Sequence, residues 1–384
     1  MSRLQNKTVL IIHTCPKTKD INDLVENGVG VVVLGKGFPK TDILWGIEIN
    51  PFDHDELING LNIIVKSTSI DAVIPIWEAT VIESAIATEY LGLRGNSKEA
   101  VINARNKYLL ATILAKHNIP TPKSFLVKTL SEASLILEEM IGYPCIAKLP
   151  FSANSQSVIK INSMEELKKQ FSQIMEMHLA DTNPYIQSFI DRNSVTNAIL
   201  IQEYIEGKEV NLDIAYLNNQ YCLLGIFQKA PMNGPCFGEY RSMYPTTLSE
   251  KEIEECERIA KKAIASTGAV CGCAHVEIKY GKGGPVIIEL SLRPGGAYTM
   301  WAIELVSGIN EMQILSKILL DGILTVNKKK NKKACIYAGL IIEKSGYITN
   351  IQNTDIFKNI PEIVDYSILY KNGDYVECLP KGSQ

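Results

Sequence analysis

The sequence predicts an α/β chain: an N-terminal parallel α/β domain followed by two α+β subdomains. Three observations carry this. Residues 1–100 alternate short β-branched runs with helical stretches, the pattern of strands that cross over through helices into a parallel sheet. Residues 198–325 instead bring strand-like runs together with a hairpin and an amphipathic helix. The chain has 384 residues and is 46% hydrophobic, enough to bury a large core spread over two to four domains or subdomains.

Charge excludes several classes of partner. Thirty-nine basic against 42 acidic residues leave a formal net charge of −3, with no electrostatic footprint for nucleic acid or an anionic membrane. The run Lys328-Lys329-Lys330-Asn331-Lys332-Lys333 is the exception and reads as a solvated loop, with an anionic partner surface as the alternative. The opening MSRLQNKTVLIIHTC has too short an apolar run for a signal peptide or a membrane span, so a cytoplasmic protein is expected. Nine scattered cysteines, several in apolar runs (Cys145, Cys222, Cys335), fit reduced thiols. Cys271-Gly-Cys273 lacks the second pair that a zinc site needs.

In the first domain (1–100), Thr8–His13, Gly30–Leu34 and Ala72–Ile76 read as strands and Val81–Tyr90 as a helix. The first strand runs into His13-Thr14-Cys15-Pro16 rather than a G-x-G-x-x-G turn, so a dinucleotide site is not expected. Trp77-Glu78 follows the third strand at its carboxyl end, where open α/β sheets bind ligands. Glu78 therefore reads either as a substrate contact or as a charge set at a helix N-terminus.

In the next segment (101–197), Asn103–Asn118 reads as one helix ended by Ile119-Pro120-Thr121-Pro122, with Lys107 near its start. Ile141-Gly-Tyr-Pro-Cys-Ile-Ala-Lys148 is an apolar strand with one lysine near its end. An unpaired buried ammonium is costly, and a phosphate partner resolves it. The loop Phe151–Val158 contains no glycine, but Ser155 and Ser157 bring hydroxyls and backbone N–H groups that suit phosphate. Ser163–Met177 reads as a helix and Asp181–Ser194 as a loop.

In the third segment (198–325), the strand Ala198–Gln202 leads into Glu203-Tyr204-Ile205-Glu206-Gly207-Lys208-Glu209, and Val210–Leu217 and Tyr221–Gln228 follow as strands. A Gly/Pro-rich stretch then carries Lys229, Glu239 and Arg241, and Glu250–Thr267 is an amphipathic helix. Residues 298–322 are helical, with Trp301 and Glu304 either at a pocket mouth or merely packing. The last segment (326–384), from Ala334–Glu343 onward, reads as β-rich.

The most informative stretch is AHVEIKYGKGGPVIIELSLRPGGA, residues 274–297. It reads as strands Ala274–Tyr280 and Val286–Arg293 around a turn centred on Gly283, which places Glu277 opposite Glu289. Glu289, Ser291 and Arg293 then share one face, and Ile288, Leu290 and Leu292 the other. Two carboxylates opposed at about 5 Å destabilise a sheet unless a cation lies between them. Magnesium binds through one or two carboxylates plus substrate phosphates. Arg293-Pro294-Gly295-Gly296 adds a cationic fork and bare backbone for phosphate or carboxylate oxygens. An ordinary hairpin with its acids in water is the plain alternative, which the apolar setting disfavours.

Glu277 followed by Glu289-x-Ser291-x-Arg293-Pro-Gly-Gly resembles the metal-binding signature of the ATP-grasp superfamily of carboxylate–amine ligases, and most of all its amino-acid ligase branch. The usual pattern has Asn where this chain has Ser291. The resemblance covers nearly the whole chain and implies an N-terminal domain followed by two α+β subdomains that clamp ATP. It implies that Lys107 and Lys148 contact the nucleotide phosphates under the loop with Ser155 and Ser157. Gln202 and the Glu203, Tyr204 and Ile205 backbone would read adenine, and Glu209 would accept from the ribose. It further implies two magnesium ions (manganese as the substitute) on Glu277, Glu289 and Ser291. Arg293, Gly295 and Gly296 would act at the reacting centre, and Glu78, Lys229, Glu239, Arg241 and Trp301 would face the substrate. The implied reaction is ADP-forming ligation of an amino-acid or other carboxylate to an amine acceptor. A carrier-protein thiol as acceptor, a second copy of the chain as partner, and a relative that binds nucleotide without chemistry are the further options.

Overall fold

The structure is a computed structural model that describes residues 6–13, 18–38, 42–150, 157–180, 198–232, 234, 236–327, 333–339 and 342–378. Four short strands, β1 (Thr8–His13), β2 (Gly30–Gly35), β3 (Trp45–Glu48) and β4 (Ala72–Val73), form the expected parallel sheet in the order β3-β2-β1-β4. Helices α1 (Thr18–Glu26) and α2 (His54–Ser67) make the crossovers, and α2 is capped by the Asp53 side chain. Helix α3 (Val81–Tyr90) occupies the span predicted for it. The strand expected over Ala72–Ile76 is β4, and it ends earlier, at Val73.

The helix predicted over Asn103–Asn118 is two: α4 (Lys98–Arg105) and α5 (Lys107–Lys116). Asn106 breaks them with an extended backbone and caps α5, its side chain accepting from the Tyr108 and Leu109 N–H groups. Apolar periodicity runs through such a break unseen, because the hydrophobic face continues on both sides of the cap.

A second sheet of β5 (Ser124–Val127), β6 (Cys145–Lys148), β7 (Ile159–Ile161) and β8 (Ile199–Glu203) is antiparallel, in the order β5-β8-β6-β7. It packs Ala147, Ile161 and Ile201 against α6 (Leu130–Ile136) and α7 (Met164–Ala180).

The third sheet is the largest. Strands β9 (Lys208–Leu217), β10 (Gln220–Lys229), β11 (Arg241–Tyr244), β12 (Cys271–Gly281), β13 (Gly284–Ser291) and β14 (Cys335–Ala338) lie in the order β13-β12-β9-β10-β11-β14. Helix α8 (Glu250–Ser266), opened by a Ser249/Glu252 capping box, covers one face. There Val210, Leu212, Ile214, Val276, Ile278 and Leu290 meet Ile259, Ala263 and the α4–α5 pair. On the other face, Ala215, Leu217 and Cys273 pack against α9 (Thr299–Ser307) and α10 (Glu311–Asp321) and reach Val9 and Ala72 of the parallel sheet. The helical stretch 298–322 is thus broken at Gly308, whose φ of 70° closes α9. Beyond it, β14 joins the large sheet, and residues 342–378 contribute one two-residue ladder, β15 (Gly346–Tyr347) with β16 (Tyr375–Val376).

Gly207, just before β9, is one position where only glycine fits. Its φ is 156°, and a Cβ there would stand 2.4 Å from the Tyr280 carbonyl oxygen.

Candidate active site

The β12–β13 hairpin sets Glu277 directly opposite Glu289, as the sequence indicates, but by a different route. Gly281 pairs with Gly284, so the turn is the two residues Lys282 and Gly283, and a bulge between Glu277 and Ile278 then shifts the register by one. Ile287, not Ile288, therefore enters the core. Bulges commonly re-aim a side chain beside a functional site, and this one turns Glu289 away from the apolar layer.

Strand β9 completes the face. Glu209 pairs with Lys279, Asn211 with Glu277 and Asp213 with His275. Five acids (Glu209, Asp213, Glu239, Glu277 and Glu289) and four lysines gather around these rows. Lys107 is buried and lies 3.1 Å from Glu289. Lys229 is buried within 2.8 Å of Glu209 and 3.2 Å of both Glu239 and Glu277. Lys279 reaches Glu209 at 2.9 Å. Lys148 is buried at the end of β6, and burial, with the charge of Lys107, lowers its pKa to about 8. Burial opposes the Lys229 charge, yet Glu209, Glu277 and Glu239 hold its pKa well above the ordinary lysine value. Burial and the nearby charges of Glu289 and Glu209 raise Glu277 against the pull of Lys229, whereas burial of Glu289 is overcome by Lys107, Lys148 and Arg105 together, which keep it low.

Behind this face, Arg293 Nε lies 2.6 Å from Glu78, whose other oxygen is 2.8 Å from Arg105 Nε. Burial raises Glu78, but the Arg293 and Arg105 charges, with a Ser291 hydrogen bond, bring it down to about 2. Arg293 Nη1 also donates to the Pro294 carbonyl at 2.6 Å. A Cβ on Gly295 would stand 2.6 Å from Asp213 Oδ2, so the loop passes over that carboxylate as bare backbone.

The remaining expected residues are placed as follows. Gln202 is buried and donates to Ser124 Oγ at 2.7 Å. Glu203 accepts from the Lys123 N–H at 3.3 Å, Tyr204 lies under the Lys160 ammonium at 4.0 Å, and Ile205 is half-buried. Ser157 is buried, with its hydroxyl accepting from the Leu149 N–H at 3.3 Å; Ser155 lies outside the described residues. Glu239 accepts from Ser242 and from Tyr337 at 2.8 Å. Arg241 is exposed beside the Tyr240 ring, and Trp301 packs edge-on against Tyr298.

Sequence reasoning missed Arg105, Lys279, Asn211, Asp213 and His275. His275 Nδ1 bonds Asp213 at 2.6 Å, and Asp213 keeps its pKa above the usual histidine value despite burial. The signal was present in Glu209-Val-Asn211-Leu-Asp213, a polar stripe of period two inside an apolar strand, facing His275, Glu277 and Lys279.

Among the described residues no three His, Cys, Asp or Glu side chains form a metal-binding group of their own. The donors present fit a cation that also takes phosphate oxygens: two opposed acids, one with a raised pKa, supply hard ligands that a phosphate would complete. No helix among the described residues is long and apolar enough to cross a membrane.

Residues 117–300 match the ATP-grasp domain family. That span, a little under half of the chain, is similar to an ATP-grasp domain. The match spans β5 to β13 and the start of α9, so Glu78, Arg105 and Lys107 join the site from outside the matched span. The chain is 26% identical over 80% of its length to the alanine–anticapsin ligase of Bacillus subtilis (strain 168), and spans 64% of the length of that protein. In fold it is similar to the crystal structure of an L-amino acid ligase from Bacillus licheniformis, with a TM-score of 0.84 and 20% identity, covering 98% of this chain and 91% of that one. It also resembles the biotin carboxylase domain of the Hydrogenobacter thermophilus 2-oxoglutarate carboxylase, solved with MgADP, ADP and bicarbonate, with a TM-score of 0.70 and 15% identity, covering 96% and 83%. The matched span holds the whole of the second sheet and the third sheet except β14.

Proposed function

We propose that this chain is an ATP-dependent, ADP-forming carboxylate–amine ligase. It activates an amino-acid carboxylate as an acyl phosphate and joins it to an amine, in the leading case a second amino acid. The reading rests on the Glu277–Glu289 row and its lysines. Lys107 sits on Glu289 and Lys229 on Glu277, each ion holding a counterion that a metal-bound polyphosphate would exchange. The kinship with an alanine–anticapsin ligase supports the choice of substrates.

In this reading Glu277 and Glu289, with the Ser291 hydroxyl, hold magnesium (two ions in full, manganese as a substitute), which would neutralise charge on the phosphate oxygens. Lys107 and Lys148 hold the phosphates in line, beneath the loop with Ser155 and Ser157. Gln202 and the backbone of Glu203, Tyr204 and Ile205 receive adenine, and Glu209 turns from its lysines to the ribose. Arg293, oriented by Glu78, stabilises the acyl phosphate and then, with the Gly295 and Gly296 backbone, the oxyanion formed when the amine attacks. Lys229, Glu239, Arg241 and Trp301 face the amino-acid substrates. Catalysis is by position and charge, with no side chain acting as a covalent nucleophile. With it go the four-part division at residues 100, 197 and 325 and a cytoplasmic location.

The test is ADP release from MgATP in the presence of pooled amino acids. Release that needs a pair of amino acids supports the proposal. A requirement for a carrier protein moves the acceptor to a thiol, and ATP binding without turnover in any pool removes the ligase reading.

A further inference from the structure

One cross-strand row of the large sheet reads Asn211, Glu277, Glu289, with Glu277 in the middle. Asn211 is 3% exposed, and its side-chain oxygen has no hydrogen-bond partner among the described residues. Its neighbours on the same face of β9 are engaged, Glu209 with Lys229 and Lys279 and Asp213 with His275. The nearby Lys229 ammonium is taken up by three carboxylates. A buried amide oxygen left without a donor is costly, and it stands in one cross-strand row with two acids set directly opposite each other. A divalent cation relieves both at once, because amide carbonyls are hard, neutral oxygen ligands of the kind such ions accept. The Ser291 hydroxyl, meanwhile, bonds Glu78.

We propose that Asn211 Oδ1 is a protein ligand to the divalent cation held by Glu277 and Glu289, supplying an amide oxygen from β9. This rests on the reading of that row as a metal–nucleotide site.

The experiment uses the full chain with a non-hydrolysable ATP analogue and Mn2+, with free Mn2+ followed by electron paramagnetic resonance. Wild type binds Mn2+ saturably. Asn211→Ala weakens that affinity at least tenfold, while Asn211→Asp, which keeps an oxygen, stays within threefold of wild type or binds more tightly. Asn211→Leu repeats the test with a smaller change in volume and no oxygen, and melting without metal shows that each variant is folded. Asn211→Ala affinity within twofold of wild type overturns the proposal while leaving the site itself standing. Absence of Mn2+ binding in wild type overturns both, and is seen before any variant is made.

Discussion

Lys148 shows how one side chain couples the site to pH. Burial and the Lys107 charge bring its pKa to about 8, so it is mostly protonated at neutral pH and loses its charge just above. Phosphate favours the charged form, so nucleotide binding is expected to take up a proton as pH passes 8. Affinity for ADP should weaken between pH 7 and pH 9, and Lys148→Arg, always charged, should flatten that slope. Calorimetry in two buffers of different ionisation enthalpy measures both the affinity and the proton. Arg293 makes a second residue-scale case. Arg293→Ala should lower product formation by about 10²-fold or more, the scale of losing an oxyanion donor. ADP binding should change little, and turnover equal to wild type removes the role assigned to Arg293.

At the scale of elements, the site depends on where strands and helices end. The register shift beside Glu277 lets Ile287 enter the core while Glu289 stays on the charged face. Asn106 does similar work for α5: by capping that helix it fixes the first residue, Lys107, against Glu289. Asn106→Ala should cost about 1 kcal/mol of stability, the usual loss of a cap, whereas Asn106→Asp retains an acceptor and most of that stability. Urea unfolding of the two variants checks this. Asn106→Ala should also weaken nucleotide affinity, since Lys107 loses its anchor.

For the whole molecule, Glu78 is the joint. It leaves the parallel sheet's carboxyl end and ties Arg105 of α4 to Arg293 beyond β13, so its ion pairs link three parts of the chain. Its folded pKa of about 2 lies below the ordinary carboxyl value of 4.5, so its stabilisation is present above about pH 4.5 and is lost as pH falls toward 2. Glu78→Gln should destabilise the protein at pH 7 by roughly 3 kcal/mol, the lower end for breaking a buried pair. The gap from wild type should narrow by pH 3, as measured by urea midpoints at both values. A gap that is constant with pH would show that the charge of Glu78 is not what stabilises it.

Much was legible in the chain alone, because it depends on local patterns. Strand–helix alternation gave the parallel sheet, and the spacing of Glu277 and Glu289 about a glycine-rich turn pointed to opposed acids, although the structure reaches that pairing through a bulge. The break at Asn106 and the loss of Ile288 from the core were not legible, because apolar periodicity cannot register a cap or a bulge. Pairing across the sequence was hidden as well. Lys107 on Glu289, Lys229 among three acids and Glu78 between two arginines join residues far apart in the chain, and only the packed sheets decide which charges meet. Asn211 belongs with these: its amide is ordinary in sequence and becomes a candidate ligand only when β9 lies beside Glu277.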